Sequence, residues 1–95
     1  DGINYYRNWL DSLDTLVRAR IQARIFRFES GNLGDIKRLS TGVWEARFDF
    51  GPGYRVYFGI EGRKIILLLL GGNKRTQRRD IQTAVQLWSD YLKGK

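Results

Sequence analysis

The amino-acid sequence predicts one small α+β domain, because the spacing of its apolar residues changes twice along the chain. The spacing is helical at the start, alternates strictly between apolar and polar in the middle, and is helical again near the C-terminus. Helices followed by several strands and a last helix are typical of the α+β class. The 95 residues have the length of a single domain, and 42% of them are hydrophobic, enough for one core. Residues 1–95 are therefore expected to form one domain.

The first third of the chain predicts a helical hairpin. Apolar residues at 3, 6, 10 and 13 lie on one face of a helix over 3–13, with Asp1 placed as its N-cap. A second helix is predicted over 16–28 and is followed by Gly31 and Gly34, which are typical helix-ending residues. The residues expected to face inward are Val17, Ile21, Ile25 and Phe28. A basic stripe lies along an adjacent face and consists of Arg20, Arg24 and Arg27.

The middle of the chain predicts an antiparallel sheet. Strands are predicted over 36–39, 43–50, 54–60 and 64–70, with turns at 51–53 and 61–63 between the last three. The last of these strands is apolar on both faces, which predicts that both faces are buried.

The alternation also predicts how the central hairpin pairs. A three-residue loop that places Phe50 opposite Tyr54 sets apolar against apolar and Asp49 opposite Arg55. One face then carries a polar group of side chains, expected to point away from Trp44, Phe48 and Val56: Glu45, Arg47, Asp49, Arg55 and Tyr57. The alternative to a functional group is a simple Asp49–Arg55 ion pair. An exposed pair is worth at most about 1 kcal/mol, so Arg55→Ala is expected to leave the fold intact.

A final helix is predicted to begin after Thr76 as its N-cap. Its buried face is expected to contain Ile81, Ala84, Val85, Trp88 and either Tyr91 or Leu92. Four cations lie at its start: Lys74, Arg75, Arg78 and Arg79. Cations at a helix N-terminus oppose the helix dipole, so a bound phosphate is one interpretation of this cluster, and a solvated basic loop is the other.

Composition narrows the possible functions. Seventeen Lys and Arg against ten Asp and Glu give a net charge of +7, which suggests nucleic acid, a ribosome or an acidic protein as partner. The chain has no cysteine and no histidine, so thiol chemistry is excluded and the commonest metal ligand is missing. We expect no metal site and no cofactor. The longest apolar run, 65–70, is too short to span a membrane and no secretory signal opens the chain, so a cytoplasmic location is expected.

Three segments resemble a known family. The stretch GVWEARFDFGPGYRVYF at 42–58, the run GGNK at 71–74 continued by TQ at 76–77 and DI at 80–81, and WLDSL at 9–13 resemble the addiction module killer proteins. These are HigB-like, phage-derived toxins of the RelE/ParE superfamily. The resemblance covers nearly the whole chain in the right order.

The resemblance implies both a fold and an activity. The fold is microbial-ribonuclease-like, with a helical hairpin packed on a twisted, mainly antiparallel sheet and a C-terminal helix. The family's N-terminal strand is expected to be missing here or to lie upstream. The implied activity is growth arrest by a type II toxin that cuts messenger RNA on the ribosome. The implied partners are the ribosome, mRNA and a cognate antitoxin, often of helix-turn-helix type.

Cleavage of RNA by its own 2′-hydroxyl needs a base, an acid and stabilisation of the charge on phosphorus. Without histidine, guanidinium and ammonium groups are expected to supply most of that stabilisation. Arg47 and Arg55 are the expected phosphate clamps, and Lys74 is a further clamp or proton donor. Tyr57 is expected to hydrogen-bond a leaving oxygen or to stack on a base. Glu45 and Asp49 are alternative bases or simply hold the arginines.

Other basic residues are expected to bind the RNA backbone: Arg20, Arg24, Lys37, Arg38, Arg75, Arg78 and Arg79. Thr76, Gln77 and Asp80 match the family motif too, but helix capping is the simpler explanation for them. Two other functions stay open at this point. One is a ParE-like toxin that inhibits DNA gyrase by binding it, and the other is an inactive relative that binds RNA or an antitoxin.

Overall fold

The structure is a computed structural model that describes residues 5–28, 30–40 and 42–94. It confirms the α+β class, because a four-stranded antiparallel sheet in the order β1-β2-β3-β4 carries helices on both faces. In chain order the elements are α1 (Tyr5–Asp11), α2 (Thr15–Phe28), β1 (Ile36–Ser40), β2 (Val43–Arg47), β3 (Arg55–Glu61), β4 (Lys64–Gly72), a 3₁₀ turn (Lys74–Thr76) and α3 (Gln77–Lys93). Asp1 lies outside the described residues and the side chains at 65–70 are not described, so the predicted cap and the predicted burial there stay predictions. Within the described residues, no helix is both long and apolar enough to cross a membrane.

The helical hairpin covers one face of the sheet, as predicted. Ile21 and Phe28 of α2 are buried there, and Val17 and Ile25 pack against the same cluster. The first helix is shorter than predicted and ends at Asp11, because the amides of Ser12 and Leu13 turn back to the carbonyls of Trp9 and Leu10 at 3.1 Å each. The larger core of the protein therefore lies between this hairpin and the apolar face of β2 and β3.

The predicted pairing of β2 with β3 is wrong by two residues. Ala46 lies opposite Val56 and Arg47 lies opposite Arg55, so Asp49 does not face Arg55. The amide of Phe48 donates to the carbonyl of Tyr54 at 3.0 Å, which closes a five-residue loop over 49–53 rather than the predicted three-residue loop. A shift of two residues keeps every side chain on its predicted face. Arg47, Arg55 and Tyr57 therefore project on one side, away from Trp44, Phe48 and Val56, as expected.

That polar side of the sheet is buried, which the sequence did not predict. The C-terminal helix α3 packs across it, and Val43, Tyr57, Ala84 and Trp88 form a second core cluster there. Glu45 is 0% exposed and Arg55 is 8% exposed. The expectation of a solvated polar face, and of a weak exposed ion pair at Arg55, is therefore wrong.

The start of α3 was predicted correctly, but its capping and part of its buried face were not. Thr76 is the N-cap residue, yet its hydroxyl donates to the Asp80 carboxylate instead of capping the helix. Ala84 and Trp88 are buried and Ile81 and Tyr91 pack beside them, as predicted. Val85 and Leu92 are exposed, because the buried stripe of the helix runs through Asp80, Ala84 and Trp88.

Two adjacent glycines at the end of β4 let both layers approach the sheet. A Cβ on Gly71 would collide with the ring of Trp9 from α1. A Cβ on Gly72 would collide with the carboxylate of Asp80 and would lie 2.7 Å from Oγ1 of Thr76. Side chains point to alternate faces along a strand, so the pair removes a side chain on each face at the same point.

We expect Gly72→Ala to lower the free energy of unfolding by about 1–3 kcal/mol, because the added methyl group forces Asp80 and Thr76 out of a closed network. The measurement is urea denaturation followed by circular dichroism. Gly94→Ala is the control, since a Cβ there would lie at an ordinary 3.6 Å from the nearest atom. Equal stabilities of the two variants would contradict close packing at Gly72.

Candidate nucleic-acid interface

A cleft lies at the end of the sheet where β2 ends and β3 begins. Its volume is about 420 Å³, within the range of small-ligand sites. Its lining brings together residues from the loop before β1, from the facing ends of β2 and β3, from the hairpin between them and from the 3₁₀ turn: Asp35, Arg47, Phe48, Asp49, Phe50, Gly51, Pro52, Gly53, Arg55 and Lys74. Three of the four predicted catalytic residues, Arg47, Arg55 and Lys74, therefore line one cavity.

Arg47 and Arg55 lie directly opposite each other on β2 and β3. Like charges in this arrangement repel, so each needs an acidic partner. Arg47 Nη2 lies 2.9 Å from Asp35 Oδ1, and Arg55 Nε lies 3.5 Å from Glu45 Oε2. Each arginine thus has its own carboxylate, and the two guanidinium groups still share one cleft.

The buried carboxylate of Glu45 fixes the position of the Arg55 side chain. Its Oε2 also accepts a hydrogen bond of 2.9 Å from Nε2 of Gln77 on α3, and Arg55 Nη1 donates to the Gly53 carbonyl at 3.3 Å. Because Glu45 is fully buried, its carboxylate is not accessible to a ligand in the cleft. The structure therefore favours the second predicted role for Glu45, as the residue that positions an arginine.

Asp35 and Arg24 position Arg47. The hydrogen bond from Arg47 to Asp35 raises the pKa of Arg47 above its usual value. Arg24 donates to the backbone carbonyls of Leu33 and Asp35 at 3.0 and 2.7 Å and to that of Arg47. Burial lowers the pKa of Arg24, the opposite direction. Arg24, a predicted RNA-binding residue, is thus used to fix the loop before β1.

Lys74 reaches the cleft from the 3₁₀ turn. Its amide donates to the Pro52 carbonyl at 3.5 Å, and its stem runs along Gly53, where an added Cβ would lie 3.3 Å from Lys74 Cγ. Gly53 has φ +81°, a conformation that glycine adopts without strain. The side chain of Lys74 is exposed, so its ammonium group is available to a ligand.

Tyr57 lies away from the cleft surface. It is 0% exposed beneath α3, where burial first and then the carboxylates of Glu45 and Asp80 raise the pKa of its hydroxyl. The hydroxyl is close enough to Glu45 to respond to its charge, but no hydrogen bond of ordinary geometry joins the two. Stacking of an RNA base on Tyr57, as the sequence predicted, would require α3 to move.

Asp49 is the accessible carboxylate of the hairpin loop. It lines the cleft, it is exposed, and it has no ion pair among residues 5–28, 30–40 and 42–94. Of the two predicted alternatives for a base, Glu45 and Asp49, only Asp49 is open to a ligand. Within those same residues, no cluster of acidic side chains is arranged to hold a metal ion.

The other predicted RNA-binding residues do not form one continuous surface. The guanidinium of Arg20 stacks over the ring of Phe50 at 3.7 Å, at the edge of the cleft. Lys37 pairs with Glu45 and Arg38 pairs with Trp44 across β1 and β2, so they project to opposite faces of the sheet. The remaining members are exposed near the start of α3: Arg75, Arg78 and Arg79.

The motif residues at the start of α3 have structural partners. Asn73 Oδ1 accepts hydrogen bonds from the backbone amides of Arg75 and Thr76 at 2.9 and 3.3 Å. The backbone amide of Asn73 donates to Thr76 Oγ1 at 3.2 Å. This reciprocal pair is a capping box. Sequence reasoning missed Asp35 and the role of Gln77. Asp35 lies outside the alternating pattern of the strands. Its position as a single acidic residue just before a basic strand is the feature that could have identified it as a partner for an arginine.

Comparison with known proteins supports the phage-derived family suggested by the motifs. Residues 8–89 match the family model of the phage-derived Gp49-like proteins. An uncharacterized protein of Haemophilus influenzae is 45% identical over 80 residues, which are 83% of this chain and 81% of that protein. No solved structure matches the chain. The match over 8–89 takes in the second half of α1, all of α2, every strand and most of α3, so the chain belongs to the phage-derived Gp49-like family.

Proposed function

We propose that this protein is the toxin of a type II toxin–antitoxin pair and that it cleaves messenger RNA on the ribosome. The observation that carries the proposal is the cleft shared by Arg47, Arg55 and Lys74, three cations from three different elements. A phosphodiester is the ligand that such a group of cations fits best. The HigB-like resemblance of the motifs agrees with this function.

The proposed chemistry uses the 2′-hydroxyl of the RNA itself. The 2′-oxygen attacks the adjacent phosphorus and the bond from phosphorus to the 5′-oxygen breaks, which leaves a 2′,3′-cyclic phosphate and a new 5′-hydroxyl. Asp49 accepts the proton from the 2′-hydroxyl, and Lys74 donates a proton to the departing 5′-oxygen. Arg47 and Arg55 stabilise the negative charge on the phosphoryl oxygens, a contribution that is often the largest in such reactions.

The positions of Arg47 and Arg55 are set before any ligand binds. Arg55 is anchored by Glu45 and by the Gly53 carbonyl, and Arg47 is anchored by Asp35. Groups fixed in this way need little reorganisation during a reaction. Within this proposal the protein works in the cytoplasm, and a cognate antitoxin neutralises it.

The test adds the purified protein to translating ribosomes and maps new 5′ ends on the bound mRNA. A parallel reaction adds the protein to DNA gyrase with relaxed plasmid and measures supercoiling. New 5′ ends with normal supercoiling are the expected result. Lost supercoiling without new 5′ ends would support the gyrase-binding alternative, and no effect in either reaction would support an inactive relative.

A further inference from the structure

The outward face of α2 carries an apolar stripe that the cleft does not use. Leu16 is 76% exposed and Phe26 is 73% exposed, although both are large apolar residues. Ala19 and Ala23 lie between them on the same side of the helix and are also exposed. The spacing of three, four and three residues keeps these four on one edge, opposite the buried Ile21 and Phe28. We call these four residues the α2 stripe.

The shape of the α2 stripe suits another helix. Spacings of three and four residues are those of the contact seam in a pair of packed helices. The two alanines leave a shallow depression between the larger side chains of Leu16 and Phe26, so a partner helix can approach the backbone of α2 closely there. A large apolar side chain on the partner would fill this depression. Contacts at such spacing are how amphipathic helices are recognised by other proteins.

Charge defines the partner further. Arg20 and Arg27 lie seven residues apart along one border of the α2 stripe, which is about 10 Å along the helix axis. Both are exposed, and neither has an ion pair among the described residues. In a chain of net charge +7, this border attracts acidic residues and repels basic ones.

We propose that the α2 stripe is the docking site for an acidic amphipathic helix of another protein, which places a large apolar side chain over Ala19 and Ala23 and carboxylates near Arg20 and Arg27. A second copy of this chain fits less well. In a twofold antiparallel pairing of α2 helices the same border meets itself, so arginines face arginines. The identification of this partner with the antitoxin rests on the proposed function, but the docking itself does not.

Binding of a helix at the α2 stripe would also change the electrostatics at the edge of the cleft. The Arg20 guanidinium lies 3.7 Å from the centre of the Phe50 ring, and Phe50 lines the cleft. A carboxylate that binds Arg20 therefore brings negative charge to the edge where RNA phosphates are proposed to enter. Phosphates are repelled by that charge, so a docked acidic helix disfavours RNA binding without filling the cleft.

The test titrates the purified chain with two synthetic helical peptides and follows binding by calorimetry and by NMR shifts. Both peptides carry a leucine stripe at the same spacing, one flanked by glutamates and the other by lysines. We expect the glutamate peptide to bind and to shift the resonances of α2, and the lysine peptide not to bind. Phe26→Ser is expected to weaken binding about ten- to a hundredfold, since the Phe26 side chain is buried in the complex.

Leu92→Ser is the matched control, because Leu92 is an exposed apolar residue of α3 and lies off the α2 stripe. It is expected to leave the affinity unchanged. No binding of the glutamate peptide, shifts confined to the cleft, or equal binding of both peptides would each overturn the proposal. A dimer of the chain in sedimentation that Phe26→Ser dissolves would overturn it in favour of a second copy. These measurements need no ribosome, so their failure is separate from failure of RNA cleavage.

Discussion

Lys74→Met is expected to reduce the rate of mRNA cleavage about 10²–10³-fold, as is typical when a fixed charge-stabilising group is removed from a site. Methionine keeps an unbranched stem for the contact with Gly53 and removes only the ammonium group. Lys74 is exposed, so the free energy of unfolding should change by no more than about 0.5 kcal/mol. The two measurements are mapping of 5′ ends on ribosome-bound mRNA and urea denaturation.

Lys64→Met is the control for this variant. It makes the same chemical change at an exposed lysine that pairs with Glu61 at the opposite end of β3 from Arg55. Strand geometry places the two ends about 20 Å apart. Full activity is expected for Lys64→Met. If both variants lose the same small part of the activity, Lys74 contributes only to a general basic surface, and the proposed cleft chemistry is wrong.

Arg55→Ala is expected to lower the free energy of unfolding by about 3–5 kcal/mol, because it leaves the buried side chain of Glu45 without its ion-pair partner. This differs from the expectation drawn from the sequence, which placed Arg55 in an exposed pair. Loss of activity in this variant would therefore report lost structure as well as lost chemistry. Denaturation by urea, followed by far-ultraviolet circular dichroism, measures the change.

Two further variants separate burial from charge. Arg47→Ala removes the cross-strand neighbour, but its side chain is 39% exposed and pairs with a 57% exposed carboxylate, so a loss of at most about 1 kcal/mol is expected. Arg55→Met combined with Glu45→Gln removes both charges and keeps a hydrogen-bond partner for Gln77. This double variant should recover most of the stability. A single Arg55→Ala variant as stable as Arg47→Ala would contradict the buried pair.

The alternation of residues in β2 and β3 predicted the faces of the strands but not their register. A shift of two residues leaves each apolar side chain on the same face, so hydrophobic pattern alone cannot distinguish the two pairings. The hairpin loop decides between them. The amide of Gly53 bonds to the Phe50 carbonyl at 3.1 Å, and Pro52 is held by the amide of Lys74 from a distant segment. A contact between segments so far apart in sequence has no local signal.

The cleft was predicted in part for a similar reason. The motif residues Arg47, Arg55 and Lys74 could be identified from the sequence, and the structure brings them to one cavity. The burial of Glu45, Arg55 and Tyr57 could not, since polar residues on alternate positions indicate a solvated face unless another element covers them. The helix that covers them, α3, contributes Gln77 as a polar partner for Glu45 and buries Asp80 beside Thr76. Its buried stripe is thus partly polar, which hydrophobic periodicity does not detect.

The packing of α3 over the polar side of the sheet has a spectroscopic consequence. Trp88 is 6% exposed and its ring lies so close to Gly59 that an added Cβ would collide with it. The other two tryptophans, Trp9 and Trp44, pack against the cluster on the opposite side of the sheet. If α3 lifts, the indole of Trp88 enters water and its fluorescence emission moves to longer wavelength, while the hairpin side stays dry. In a variant whose only tryptophan is Trp88, the wavelength of maximum emission reports whether α3 still covers the buried Glu45–Arg55 pair.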